Sequence, residues 1–153
     1  KGDNLITIAR RFNTTVTEIR RTNELRDPNF LQVGQKLLIR PRGQSHPQMI
    51  WPVRGRITSE YGWRTHPVYG HRHFHGGLDI AAPQGTPVRA AMAGRGISTW
   101  YLHNSRINVR PGQAVRQGDV ISLSGMTGVV TGPHLDFRIK INDRTIDPLT
   151  WLP

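Results

Sequence analysis

The stretch that decides the fold is His134-Leu135-Asp136-Phe137-Arg138-Ile139-Lys140-Ile141. In an extended chain alternate side chains point to opposite faces. Leu135, Phe137, Ile139 and Ile141 then form one apolar face, and His134, Asp136, Arg138 and Lys140 form a polar face that opens with a histidine and a carboxylate. Such a run predicts a strand with one face on a core. Around it, short apolar or alternating runs are separated by Gly and Pro, and no segment keeps a helical period. Strands are expected at residues 57–61, 78–81, 88–92, 114–115, 120–123 and 135–141, which makes residues 51–153 a mainly antiparallel β domain.

A second stretch, Phe74-His75-Gly76-Gly77-Leu78-Asp79-Ile80, repeats the pairing of histidine with aspartate. The even spacing puts His75 and Asp79 on one face of an extended chain, with Leu78 and Ile80 on the other, and two adjacent glycines argue against a helix. Two His–Asp pairs on neighbouring strands would make a cage for a hard cation or zinc. The chain has no cysteine, so a metal has only His, Asp or Glu to hold it. Catalytic zinc takes three protein ligands and leaves one position open.

Residues 1–40 read differently. Leu5, Ile8, Ala9 and Phe12 recur at helical spacing, with Asp3 as the expected N-cap. Asn13-Thr14 interrupts the pattern. Thr15 and Glu18 then have the spacing of a capping box for a second helix that turns Val16, Ile19 and Thr22 inward, and Asn23 is placed to end it in a left-handed conformation. A strand is expected at residues 36–40 with Leu37 and Ile39 inward. Helix, helix and one strand make a small α+β module that lacks a pairing partner, so a preceding strand is expected to be truncated. Residues 41–50, beginning Pro41-Arg42-Gly43-Gln44-Ser45, have the composition of a linker. A tether this short would hold the second domain at high effective concentration near whatever the first one binds.

The net charge of +11 comes from 21 bases against 10 acids. It is spread over the chain: eight bases and four acids lie in residues 1–40, thirteen and six in the rest. Such charge favours polyanions. Without a basic helix or an aromatic-interleaved basic stripe, an anionic cell wall fits better than nucleic acid. No apolar run approaches the roughly 20 residues needed to span a bilayer.

Gly2-Asp3-Asn4-Leu5, Ile8-Ala9, Asn23 and Val33-Gly34-Gln35-Lys36-Leu37-Leu38-Ile39 together resemble a LysM module. That resemblance implies binding of N-acetylglucosamine-containing glycan, as in peptidoglycan, between the loop Gly2, Asp3, Asn4, Leu5 and the loop at residues 27–31, largely through backbone atoms. From residue 51 onward the chain resembles the lysostaphin/LytM zinc metallopeptidases. The resemblance rests on Gly55-Arg56-Ile57-Thr58-Ser59-Glu60-Tyr61-Gly62-Trp63-Arg64, His75-Gly76-Gly77-Leu78-Asp79, Tyr101-Leu102-His103, Gly125-Met126-Thr127-Gly128 and Gly132-Pro133-His134-Leu135. It implies an extracytoplasmic zinc endopeptidase that cuts peptide bonds in peptidoglycan. His75 and Asp79 match zinc ligands, His103 and His134 match the histidines beside the reacting water, and Arg64 matches an arginine near the groove, a place that a buried structural ion pair would equally explain. Asp136 stands where the family's third ligand, a histidine, is expected. Between Gly94 and Tyr101 stand six residues where the family has two further strands, so either a hairpin has been lost or the sequence skips a stretch there. The same resemblance allows another reading, a degenerate, non-catalytic factor that binds the wall and activates a peptidoglycan amidase. His66, His71 and His73 are further polar candidates near the groove rim.

Overall fold

The computed structural model describes residues 2–23, 25, 31–39, 49–92 and 97–153. The chain forms two compact units, Lys1–His46 and Pro47–Pro153.

The first unit contains α1 (Leu5–Arg11) and α2 (Val16–Asn23). Leu5, Ile8, Ala9 and Ile19 form its core, with Val16, Leu25, Leu31, Leu37 and Ile39 packed against them. Asn4, not Asp3, caps α1. Its side chain accepts from Thr7 N at 2.9 Å while the Thr7 hydroxyl accepts from Asn4 N at 3.1 Å, a reciprocal box. Asp3 instead pairs with Arg11 at 3.1 Å on the surface. Thr15 accepts from Glu18 N at 3.0 Å and so caps α2. Asn13, with φ 48°, takes the left-handed turn between the helices.

Two expectations fail in this unit. Asn23 is the last helical residue and has no positive φ. Residues 36–39 form no strand. The Asn23 side chain explains both. Its amide donates to Ile19 O at 2.8 Å and Leu38 O at 2.9 Å, and its carbonyl accepts from Leu38 N at 2.7 Å. A side-chain amide thus supplies Leu38 with the bonds that a strand neighbour would give. Residues 27–30, part of the expected glycan loop, and residues 41–48 of the expected linker lie outside the described residues.

In the second unit the central sheet holds β1 (Ile57–Ser59), β4 (Leu78–Ala81), β6 (Ser98–Leu102), β9 (His134–Ile141) and β10 (Arg144–Ile146). β9 is its spine. One edge of β9 pairs with β4 and β10, the other with β6, all antiparallel. Leu78, Ile80, Leu135, Phe137 and Ile139 are fully buried on the apolar face, as the alternation predicts. β2 (Gly62–Thr65) and β3 (Arg72–His75) form a separate hairpin, and β5 (Pro87–Arg89), β8 (Val120–Ser124) and β7 (Asn104–Ile107) form a three-stranded sheet in that order. Residues 114–115 form no strand, and 60–61 and 90–92 lie beyond the ends of β1 and β5. Asp147 caps a single 3-10 turn, Pro148–Thr150, by accepting from Leu149 N at 3.0 Å. Among the described residues no helix is long and apolar enough to cross a membrane.

Candidate metal centre

The site begins with a register. Asp79 on β4 and Asp136 on β9 are direct cross-strand partners. Both are buried. Like charges placed opposite each other destabilise a sheet, and burial sharpens the repulsion. Two buried carboxylates facing each other therefore demand cations.

His75 ends β3 and meets them from the hairpin. It and Asp79 do not share one extended strand, because the chain turns at Gly76-Gly77 before β4 begins. They still converge, with His75 Nε2 3.1 Å from Asp79 Oδ1 and 3.7 Å from Asp136 Oδ2. His75 Nδ1 lies 2.9 Å from the Glu60 carbonyl. That acceptor fixes the proton on Nδ1 and turns the Nε2 lone pair toward the carboxylates. His75 Nε2 and Asp79 Oδ1 are buried and have no hydrogen-bond partner. Two lone pairs facing at 3.1 Å call for a cation between them. Ligand atoms of a tetrahedral zinc with bonds of about 2.0–2.1 Å stand about 3.3 Å apart, and the two separations from His75 bracket that spacing. The donor set fits a divalent metal: His75, Asp79 and Asp136 form the group of potential ligands found among the described residues, with ligand atoms within 4.8 Å of one another. Without a metal the site takes a proton. Burial pulls the His75 pKa down, but Asp136, Asp79 and the Glu60 carbonyl outweigh it and raise it to about 9.

Two arginines, one foreseen and one not, complete the charge balance. Arg64 Nη1 lies 3.1 Å from Asp79 Oδ2, an ion pair with one of the potential ligands. Arg138 grips Asp136: Nε lies 3.1 Å from each oxygen and Nη2 2.6 Å from Oδ2. Burial pushes the Asp136 pKa up, but His75 and Arg138 dominate and hold it far below the ordinary carboxylate range. Arg138 was legible as the i+2 neighbour of Asp136 on one strand face, a spacing at which a long side chain can fold back.

His134 and His103 stand beside this group. His134 Nε2 is 3.7 Å from Asp79 Oδ1, and its Nδ1 is 2.9 Å from Gly132 O. His103 Nδ1 is 2.7 Å from Thr127 O. Carbonyl acceptors at both Nδ1 atoms leave Nε2 of each ring unprotonated in the neutral form. The rings are 4.8 Å apart. His103 takes φ 65° at the corner where the chain leaves β6 and the central sheet for β7 and the three-stranded one. Gly125 makes that corner possible, because a Cβ there would stand 2.4 Å from Ser105 N and 2.8 Å from His103 O.

His66, His71 and His73 are not part of the metal group. They cluster with Tyr69 on the hairpin, ring centroids 4.6 Å apart for His66–Tyr69 and 5.5 Å for His66–His71. In the first unit Gly2, Asp3 and Asn4 are exposed, but Leu5 is a core residue and offers a ligand only its backbone.

Residues 1–40 match the LysM domain, and residues 92–148 match peptidase family M23. The chain carries a LysM module followed by a family M23 domain. The DD-carboxypeptidase/endopeptidase Mpg of Neisseria meningitidis is 37% identical over 118 aligned residues, 64% of this chain and 27% of that protein. The chain thus spans about a quarter of the length of this relative. The uncharacterized lipoprotein YgeR of Escherichia coli is 27% identical, with 100% of this chain and 79% of that protein covered. A zinc-containing peptidase from Vibrio cholerae has the same fold over 67% of this chain and 40% of its own, at 34% identity and a TM-score of 0.57. The M23 match includes His103, His134 and Asp136, while His75 and Asp79 precede it.

Proposed function

We propose that this protein is a zinc-dependent endopeptidase that hydrolyses peptide bonds of peptidoglycan and is brought to the cell wall, outside the cytoplasm, by its LysM module. One observation carries the reading: His75 Nε2 and Asp79 Oδ1 are buried, unpartnered and aimed at each other, with Asp136 closing the triangle. His75, Asp79 and Asp136 would hold the metal, which when bound polarises a carbonyl and lowers the pKa of a bound water. The chain supplies the proton transfers. His134 and His103 present unprotonated Nε2 atoms beside the ligands, placed to take a proton as general base and then return it to a leaving amine. Once protonated, either ring can steady an oxyanion by charge and hydrogen bond. The relatives named as endopeptidases and the zinc-containing neighbour support the same assignment.

The test is digestion of purified peptidoglycan sacculi by the full chain. Wild type is expected to release soluble fragments with new amino groups, and His134→Ala to release them at least about a hundredfold more slowly, as loss of a general base does. Undiminished release by His134→Ala would remove that residue from the mechanism. A second, non-catalytic reading is favoured by the arginines, since Arg64 and Arg138 already neutralise the two carboxylates. No release by wild type supplied with zinc would favour that reading.

A further inference from the structure

Asp136 and Arg138 belong to one strand and stand two residues apart, so their side chains leave β9 on the same face. The guanidinium reaches both carboxylate oxygens. Its shortest contact, 2.6 Å, is to Oδ2, the same oxygen that faces His75 Nε2 at 3.7 Å. Arg64 behaves otherwise. It bonds Asp79 through Oδ2 and leaves Oδ1, which faces His75, unpartnered. The two ligand carboxylates thus differ: Asp79 has one oxygen free for a metal, and Asp136 has its metal-facing oxygen already taken by a cation.

The charges make the same point. Asp79 and Asp136 carry −2 and Arg64 and Arg138 carry +2, so with His75 neutral, as a metal ligand must be, these charges cancel before the dication adds its own. A divalent ion would raise the cluster to +2 in a largely buried setting, where like charges repel more strongly than in water.

We infer that Arg138 is a built-in competitor of the metal for Asp136, so that metal occupancy requires the guanidinium to let go of Oδ2. The inference rests on the reading of this cluster as a metal centre and adds a regulator of its occupancy. The usual partner of a ligating carboxylate orients it and raises affinity. The prediction for Arg138 has the opposite sign, because a cation on the metal-facing oxygen occupies the ligand and does not merely aim it.

The experiment titrates zinc into the full chain against a fluorescent chelator, for wild type, Arg138→Gln, Arg138→Lys and Arg64→Gln. Circular dichroism and thermal melts confirm folding. Arg138→Gln is expected to bind zinc about tenfold to a hundredfold more tightly, the range over which partners of ligating groups act, and to show a larger zinc-induced rise in melting temperature than wild type. Arg64→Gln is expected to change affinity less. Arg138→Lys keeps the charge but loses the two-pronged grip, and is expected to bind more tightly than wild type; it carries the test should the glutamine variant fail to fold. Unchanged or weaker binding after substitution of Arg138 overturns the inference, as does an equal gain in both glutamine variants, which would reveal only a general charge effect. Zinc binding to none of the folded proteins would overturn the metal reading along with it.

Discussion

Gly77→Ala tests how closely the turn between β3 and β4 must approach β9. A Cβ at Gly77 would stand 2.2 Å from Asp136 Oδ1, 2.7 Å from Arg138 Cγ and 2.9 Å from Phe137 O. None of these atoms can yield freely. Asp136 is pinned by Arg138, and moving it breaks that pair. Phe137 is fully buried and its backbone is paired between β4 and β6. Relief therefore needs the turn to lift, carrying His75 away from Asp136. Overpacking of this kind costs about 3 kcal/mol. The stiffer unfolded chain returns about 0.5–1 kcal/mol, for a net loss of about 2 kcal/mol. In a domain of this size that is about 8 °C in melting temperature. Zinc affinity should fall as well, since two of the three ligands separate. The assays are a thermal melt and a chelator-competition titration of the full chain. A variant that melts with wild type and binds zinc equally would refute the close approach and the argument built on it.

Asn23→Ala should destabilise the first unit by about 2–3 kcal/mol, because it takes the side-chain partner from both Leu38 N–H and Leu38 O and the second bond from Ile19 O; a denaturant titration followed by the helical signal measures it. Asn4→Ala removes the cap of α1 and should cost about 1 kcal/mol in the same titration. Asp136→His should raise zinc affinity and hydrolysis more when combined with Arg138→Gln than alone, since the single change leaves a guanidinium facing the metal; equal gains would argue that Arg138 has swung away. Residues 1–46 should sediment with insoluble peptidoglycan or chitin at both low and moderate salt, where simple charge adsorption would be screened, and retention in the supernatant at both would refute glycan binding.

The spine of the fold was legible because β9 alternates without a break over eight residues. The hairpin β2–β3 was not, because its strands are four residues long and mostly polar. It is fastened by contacts a sequence does not show, such as the Trp63–Phe74 edge contact at 5.5 Å and Arg72 over Trp63. β6 and β7 were hidden for another reason: His103 bends the chain between two sheets with a positive φ that histidine rarely takes. In the site, spacing singled out two His–Asp pairs, His75 with Asp79 and His134 with Asp136, but on the premise of one extended strand from His75 to Asp79, which the turn at Gly76-Gly77 breaks. The charge of the site was not readable, since counting His75, Asp79 and Asp136 alone omits Arg64 and Arg138. Arg138 stood in plain view on the polar face with Asp136. Missing was the cross-strand register that sets Asp79 opposite Asp136 and so makes neutralising cations necessary.

The central claim, that His75, Asp79 and Asp136 hold a catalytic metal, is tested most directly by elemental analysis of the full chain after reconstitution with excess zinc at neutral pH and removal of free ion. The account predicts one zinc per chain in wild type and none retained by a folded His75→Ala variant. Zinc absent from wild type, or retained equally by His75→Ala, would contradict it.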